Sequence, residues 1–524
     1  CVMNGTAPRF MDGSLAGDVT VDGMIPAKVG TAQMASRVGL VFGDPDTQLF
    51  GMTVEEDVAF GPANLGLGYE SIMERVSKSI GDMRLAGLER RAPHRLSGGQ
   101  KQATAIAGVY AMLPKIMVLD EPTSMLDPEG KARVFGIVRM LKEQLGVTVV
   151  LIEQEVDDIL TLADRVFVMR SGKFVLSGTP REVFGRVEEL RQAGVRVPQI
   201  VEFGTLIGAA ETPFTIEEAI SAAPASASVN EAATPAAAPR ASRAAQADPV
   251  VEAVDVEFTY PGGARALDGV NVTVGRGDFV AIVGQNGAGK TTLTRHFNGL
   301  LRPSSGDIRV LGRSAQGVPT IELCRHVGYV FQNPDEQLFC TSVQEELRFG
   351  PTNIGVDPHV TSQRVEEILG DIGLTKYREV WPKYLTKGER QRLALASVVA
   401  MDPDVLIVDE PTTGLDWVES LQILDYLERL RNEQKKTIII ITHDMNIVSL
   451  YAKRVVVMAR GRVVGDGTAR EIFSQPDLME LACLRRPPIA DLSQALWGEV
   501  LLTPAEAAAR LLAAKSQAAG VCSE

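Results

Sequence analysis

Residues 38–50 read VGLVFGDPDTQLF and residues 327–339 read VGYVFQNPDEQLF, one phrase stated twice at a distance of 289 positions. The displacement holds without a gap, carrying Leu96 onto Leu385, Asp120 onto Asp409, Asp127 onto Asp416, Gln154 onto His443 and Gly172 onto Gly461. Solenoids need several short units and this chain has two long ones, so the register predicts a duplicated domain. A length of 524 residues with 45% hydrophobic content is enough for two or three domains with real cores. The net charge of −13 argues against a general affinity for nucleic acid, which needs clustered lysine and arginine. Five cysteines, Cys1, Cys324, Cys340, Cys483 and Cys522, show neither metal-ligand spacing nor a disulfide framework, which points to a reducing compartment. No apolar run approaches the length of a membrane span.

Chemistry enters in the second copy. After the apolar run 279–283 the chain reads GQNGAGKT, from Gly284 through Gln285, Asn286, Gly287, Ala288 and Gly289 to Lys290 and Thr291, and Thr292 follows in a segment that can be helical. A glycine-rich turn between strand and helix lets backbone N–H groups face phosphates, with Lys290 reaching their oxygens and Thr291 offering a hydroxyl to Mg²⁺. The implied ligand is a nucleoside triphosphate. Three further strand-like runs end in polar groups: 327–331 in Gln332, 405–408 in Asp409-Glu410, and 437–441 in Thr442-His443-Asp444. Strand ends on one edge of an α/β sheet are where such folds keep their ligands. One carboxylate can hold Mg²⁺ and the other can polarise water. In the first copy, Ser97, Gly98, Gly99 and Gln100 precede a helical run, an arrangement that by itself is also that of an ordinary N-cap.

P-loop, glutamine, Asp-Glu pair and histidine in this order resemble the ATP-binding-cassette ATPases, and LSGGQ at 96–100 resembles their signature motif. The resemblance implies an α/β fold of tandem P-loop NTPase domains, each with a mainly parallel sheet, an antiparallel β portion and a helical signature subdomain. The helical subdomains are expected near 53–112 and 342–401, and the second copy's early strands over 251–280, with a turn at 267–270. ATP and Mg²⁺ are the implied cofactors. By the same resemblance Glu410, His443 and Gln332 are catalytic, and Thr291, Gln332 and Asp409 serve the metal. Tyr260 is placed to stack on adenine, and Asp127 and Asp416 head the D-loops. In this family sites form across the domain interface. One composite site would join the second copy's P-loop and carboxylates to Ser97, Gly98, Gly99 and Gln100, every element intact. The other would join Asp120 and Glu121 to the second signature, and there the departures collect: Gly43 in place of Gln332, Gln154 in place of His443, and Thr386-Lys387-Gly388 where Lys387 stands in a glycine's position. The expected molecule is asymmetric, with one degenerate site.

The phrases FGDPDTQLF and FQNPDEQLF, each followed by a segment such as TVEEDVAFGPANLGL, look like the ATPases of energy-coupling-factor importers. That resemblance implies an ATP-hydrolysing subunit on the cytoplasmic face of the membrane, peripheral to an integral coupling subunit and a substrate-binding membrane subunit. Its cargo would be a vitamin, a vitamin precursor or a transition-metal ion, the two cassettes would pair within one chain, and no nucleic-acid partner is expected. A sugar importer's fused ATPase and a tandem ATPase acting on the ribosome are the rival readings. The first does not fit the DP-D-x-QLF phrases, and the second resembles proteins with a long charged helical linker.

Composition sets the expected boundaries: a first cassette with its C-terminal appendage over 1–210, an Ala/Pro-rich flexible linker over 211–249, a second, complete cassette over 250–480 and an appendage over 481–524. The two appendages echo one another (VPQIVEFGTLIG from 197, PPIADLSQALWG from 487), either as caps on their own cores or as a contact surface. Near the N-terminus the repeat resumes with a new shift: CVMNG at 1–5 falls on RHFNG at 295–299, Asn4 on Asn298. The counterpart of Lys290 would then precede Cys1. The expectation is a first copy without its opening strands and P-loop, as in a fragment or a truncated reading frame. A start at Met3 would instead leave a central strand out of a parallel sheet and expose its neighbours' edges.

Overall fold

The computed structural model describes residues 1–9, 13–124, 126–223 and 248–521. It divides into two compact units, Cys1–Leu162 and Ala163–Glu524. The break therefore falls inside the expected first cassette, before its last two strands. Most of the expected linker, 224–247, and Cys522 lie outside the described residues.

In the first unit, β1 (Val38–Val41), β2 (Ile116–Asp120) and β3 (Thr148–Ile152) form a three-stranded parallel sheet in that order. One face packs Val41, Met117 and Leu119 against helices Gly98–Tyr110 and Pro128–Glu143 through Ile106, Val134 and Leu141. Helices Val54–Asn64, Tyr69–Asp82 and Gly98–Tyr110 make the helical portion expected near 53–112. At the start of the chain, Asn4 Oδ1 accepts from Thr6 N (3.2 Å) and Gly5 has φ +78°. Asn298 Oδ1 likewise accepts from Leu300 N (3.1 Å), with Gly299 at φ +75°, so the same asparagine turn stands at both positions.

The second unit begins with the hairpin β4 (Val166–Arg170) and β5 (Lys173–Gly178). An antiparallel sheet follows from β6 (Pro249–Thr259), β7 (Arg265–Gly275), β9 (Ser305–Val310) and β10 (Arg313–Ser314), in the order β10-β9-β6-β7. The main sheet runs β11-β12-β13-β8-β14-β15, with β8 (Phe279–Val283), β11 (Val327–Val330), β12 (Val405–Asp409), β13 (Thr437–Ile441), β14 (Arg454–Ala459) and β15 (Arg462–Gly467). All its pairings are parallel except β14 with β15. The four isoleucines of β13 show why these runs are unbroken. Ile438 and Ile440 face the core of helix Trp417–Gln434, whereas Ile439 and Ile441 face that of helix Lys290–Phe297 and the antiparallel sheet. A strand covered on both sides has no polar face to alternate with.

Two expectations are corrected. Residues 267–270 are not a turn: they lie inside β7, where Gly269 at φ +66° is absorbed near register irregularities between β6 and β7, and the reversal comes at 260–264. The linker does not begin at 211, since Ile216–Ala222 is a helix whose Ala219 is fully buried. The second appendage packs Leu484, Ala490 and Val500 into its own cassette's core, and the two appendages also share a core with each other. Ile200 and Phe203 from Gln199–Leu206 share one apolar core with Ile489 and Leu492 from Pro488–Trp497 and with Ala507 and Leu511 from Pro504–Val521. Elsewhere the 289-residue register recurs element by element, β1, β2, β3 and β5 preceding β11, β12, β13 and β15 by that distance.

Ile439→Ala removes a fully buried side chain from the middle strand of this packing. It should destabilise the second unit by about 2–5 kcal/mol, measured by chemical denaturation.

Candidate functional site

β8 ends at Val283, and Gly284 takes φ +148° in a place where any Cβ would run into the Met458 carbonyl of β14. Gly289, at φ +100°, starts helix Lys290–Phe297. Between them the loop is held from inside: Lys290 is buried, and its Nζ donates to the carbonyls of Gly284 (2.8 Å) and Gln285 (3.0 Å). Ala288 is buried and its carbonyl accepts from Gly461 N (3.0 Å), while Asn286 and Gly287 stay exposed. The loop thus encloses a cation at a helix N-terminus, a combination that attracts phosphate. Tyr260 stands beside it, its hydroxyl 3.1 Å from Thr292 Oγ1 and its ring edge-on to Phe258, with 38% of the residue exposed.

Asp409 and Glu410 arrive at the end of β12. Asp409 is buried and accepts from the Tyr329 hydroxyl at 2.8 Å. Burial pushes its carboxyl above the usual range, and the Glu410 charge adds to this; hydrogen bonds from Tyr329 and Thr291 and the Lys290 charge oppose it. Burial likewise drives the Tyr329 phenol far up, so it remains a donor. Glu410 adopts left-handed backbone at φ +48°, its N–H donating to Ile441 O (2.9 Å), and its Oε1 lies 2.9 Å from His443 Nδ1. Glu410 is 7% exposed, so this contact sits where electrostatic interactions are strong. Gln332 follows β11 and is exposed.

The donors suit Mg²⁺. The Asp409 carboxylate and Thr291 hydroxyl are hard oxygen ligands already in contact, and the described residues contain no cluster of three or more His, Cys, Asp or Glu that would form an all-protein cage. Mg²⁺ is usually held by one or two protein oxygens, the rest of its shell coming from phosphate and water.

The first unit keeps the backbone and changes the side chains. Glu121 has φ +46° and its N–H donates to Ile152 O (2.9 Å), but its Oε1 accepts from Gln154 Nε2 (2.7 Å) instead of facing a histidine. Asp120 is exposed, and at Gly43 a Cβ would lie 2.9 Å from the Glu121 carbonyl and 3.0 Å from that of Asp120. Glu153, in the place of Thr442, accepts from Thr123 Oγ1 (2.6 Å), and burial pushes its carboxyl up to about 7. At the signature, Ser97 and Gln100 form a reciprocal capping box, and Gly99 lets this helix approach Gly130 closely; Asp127 caps the helix Pro128–Glu143. In the second unit Thr386 and Glu389 repeat the box, the Lys387 side chain folds over Gly414, Gly388 lies against Glu419, and Asp416 caps Trp417–Gln434.

The structure thus brings together Lys290, Thr291, Asp409, Glu410 and His443 in one unit, with Tyr260 and Thr292 alongside. It adds Tyr329, which the sequence reading passed over as one residue of an apolar strand. Comparing copies would have marked it, since Leu40 stands at the same place in β1.

Tyr329→Phe deletes a donor to the Asp409 carboxylate, so that group holds its proton to higher pH and metal must compete with it. The Mg²⁺ concentration for half-maximal ATPase activity should rise roughly tenfold near pH 6.5 and less near pH 8.5, as read from Mg²⁺ titrations at both values.

The sequence profile of the ABC transporter family matches residues 11–124 and 267–413. A protein of Caldanaerobacter subterraneus subsp. tengcongensis whose name includes the words ABC transporter ATP-binding protein is 39% identical over 511 residues, covering 96% of this chain and 89% of that one. A Methanosarcina acetivorans protein with the same words in its name is 40% identical over 507 residues, covering 94% and 82%. Among solved structures, CbiO1 from Clostridium perfringens, described as part of the ABC transporter complex cbiONQ, is 37% identical and covers 47% of this chain and 99% of its own, with a TM-score of 0.42. Identity of this order along most of the relatives' length places the chain in the ABC transporter ATP-binding family, ATPases coupled to transport.

Proposed function

We propose that this chain is the energy-coupling ATPase of an importer of the energy-coupling-factor type, working at the cytoplasmic face of a membrane with an integral coupling subunit and a substrate-binding membrane subunit. The cargo class would be a vitamin, a vitamin precursor or a transition-metal ion. One repeated surface feature carries the reading. Phe50 and Phe60 meet edge to face at 4.4 Å, as Phe339 and Phe349 do at 4.6 Å, and Phe60 and Phe349 remain 51% and 46% exposed. Each pair is held up by a buried acid: Asp57 accepts from Phe50 N and Gly51 N, Glu346 from Phe339 N and Cys340 N. Rigid aromatic surface kept in both copies is what a docked membrane-subunit helix would need. It lies in the segment where the resemblance to energy-coupling-factor ATPases puts the groove for coupling helices.

In the second copy, Glu410 would polarise the attacking water. His443, fixed against Glu410, would hold that water and the γ-phosphate in line, Gln332 would reach the same site from β11, and Lys290 would draw charge from the phosphate oxygens. The P-loop residues Gly284, Gln285, Asn286, Gly287, Ala288 and Gly289 would bind phosphates through their amides, and Tyr260 the base. Asp409 and Thr291 would hold Mg²⁺, which when bound neutralises phosphate charge. The first copy's Glu121 faces a neutral amide, and Gly43 offers no side chain, so that copy would contribute little turnover.

Glu410→Gln should lower steady-state ATPase activity about 10²- to 10⁴-fold while ATP still binds, whereas Glu121→Gln should leave turnover close to that of the unsubstituted chain. Equal losses would defeat the asymmetric reading. For the docking surface, Phe60→Asp and Phe349→Asp should retain ATPase activity and lose co-purification with detergent-solubilised membrane subunits. Unfolding of both variants would make these residues structural.

A further inference from the structure

Gln199 is buried at the first position of helix Gln199–Leu206. Its Oε1 accepts from the backbone N–H of Ile489 at 3.1 Å, and because a main-chain nitrogen can only donate, this bond decides which end of the amide is oxygen. Nε2 therefore faces Asn446 Oδ1, at 3.0 Å. Asn446 then has only its Nδ2 to offer Asp444, whose Oδ1 accepts it at 2.9 Å and also takes Asn446 N at 2.8 Å. Asp444 N donates to Thr442 Oγ1 at 3.1 Å. Between Thr442 and Asp444 stands His443, with Nδ1 2.9 Å from Glu410 Oε1. A continuous hydrogen-bonded path thus leads from the joint helical core to the turn that presents the histidine.

We infer that Gln199 is a positioning residue for ATP hydrolysis in the second copy: it fixes the turn carrying His443 and so links the packing of the joint helical core to the hydrolytic rate. The inference rests on the roles proposed above for His443 and Glu410. On the side facing Gln199 a cavity of about 320 Å³ is bordered by Arg196, Gln199, Trp417, Val418 and Asn446, so there the segment after His443 is tied by hydrogen bonds, whereas its other side packs Met445, Ile447 and Val448 into the core. Arg196, just upstream, lies over the Trp417 ring at 5.4 Å, and Trp417 opens the helix capped by Asp416. The same short segment therefore touches the start of two helices that follow site loops. By the echo between the appendages Ile489 holds Gln199's place, and its hydrocarbon side chain has no donor to offer.

The test uses the purified full chain and measures steady-state and single-turnover ATP hydrolysis. Gln199→Leu removes both side-chain bonds, whereas Gln199→Glu keeps an acceptor for Ile489 N and loses only the donor to Asn446. Both should lower kcat roughly five- to tenfold with little change in KM for ATP when assayed well below each variant's own thermal transition. In a His443→Ala background neither should lower the residual rate further, because the effect passes through the histidine. The same fractional loss in both backgrounds, or an unchanged kcat in Gln199→Glu, overturns the inference. Should Gln199→Leu fail to fold, the Gln199→Glu comparison decides. Full turnover in His443→Ala alone would overturn the catalytic assignment on which the path depends, whatever Gln199 does.

Discussion

The pairing of β8, β13 and β12 is the constraint on which the second copy's site depends. Ile282 pairs with Ile441 and Ile441 with Asp409, so three parallel strands end on one row. One or two residues further on, the chain delivers Gly284, Glu410 and Thr442-His443 at the same edge. A one-residue slip of β12 would send Asp409 to the opposite face and with it the contact to Tyr329. Apolar burial on both faces of these strands resists such a slip, since every isoleucine of β13 already has its core. The strand register that presents the site is therefore secured by hydrocarbon packing on both faces of the sheet.

Packing places the charges, and their partners make the placement tolerable. Lys290, Asp409 and Glu410 are all buried, and an unpaired buried charge would be costly. Two carbonyls satisfy the lysine, a phenol and a hydroxyl satisfy the aspartate, and an imidazole satisfies the glutamate. The first copy shows what remains when this shell is thinned. Its glutamate keeps the left-handed backbone, and Gln154 still reaches it, but an amide can neither gain nor release a proton. The two copies share a backbone form and differ in the side chain that meets the glutamate.

Much of this was legible in the sequence because the strand runs are buried on both faces and end abruptly in polar residues, which announces both the strands and the site edge. The α/β architecture and the two copies follow from that pattern and from the 289-residue register. What stayed hidden has physical reasons. Gly269 reads as a turn because its positive φ suits one, yet a bulge uses the same conformation inside β7. The stretch 211–223 is rich in small and acidic residues, and its helix is stabilised by a core built from residues nearly 300 positions away. Tyr329 looked like filler among valines, because its role depends on a carboxylate supplied by a neighbouring strand. Gln199 belongs to the same class, a residue whose partners lie in a different part of the chain.

Gln199 and Ile489 occupy matching places in the two appendages, and they meet at the joint core. In a homodimer, one gene writes both sides of such a junction, so a glutamine would have to confront a second glutamine, and a change that helped one subunit would be imposed on the other. Fusing the copies into one chain lifts that symmetry. Each side can then mutate alone, one retaining an amide as a lever on its neighbour and the other settling into hydrocarbon, and a division of labour between two cassettes becomes heritable as ordinary point mutations.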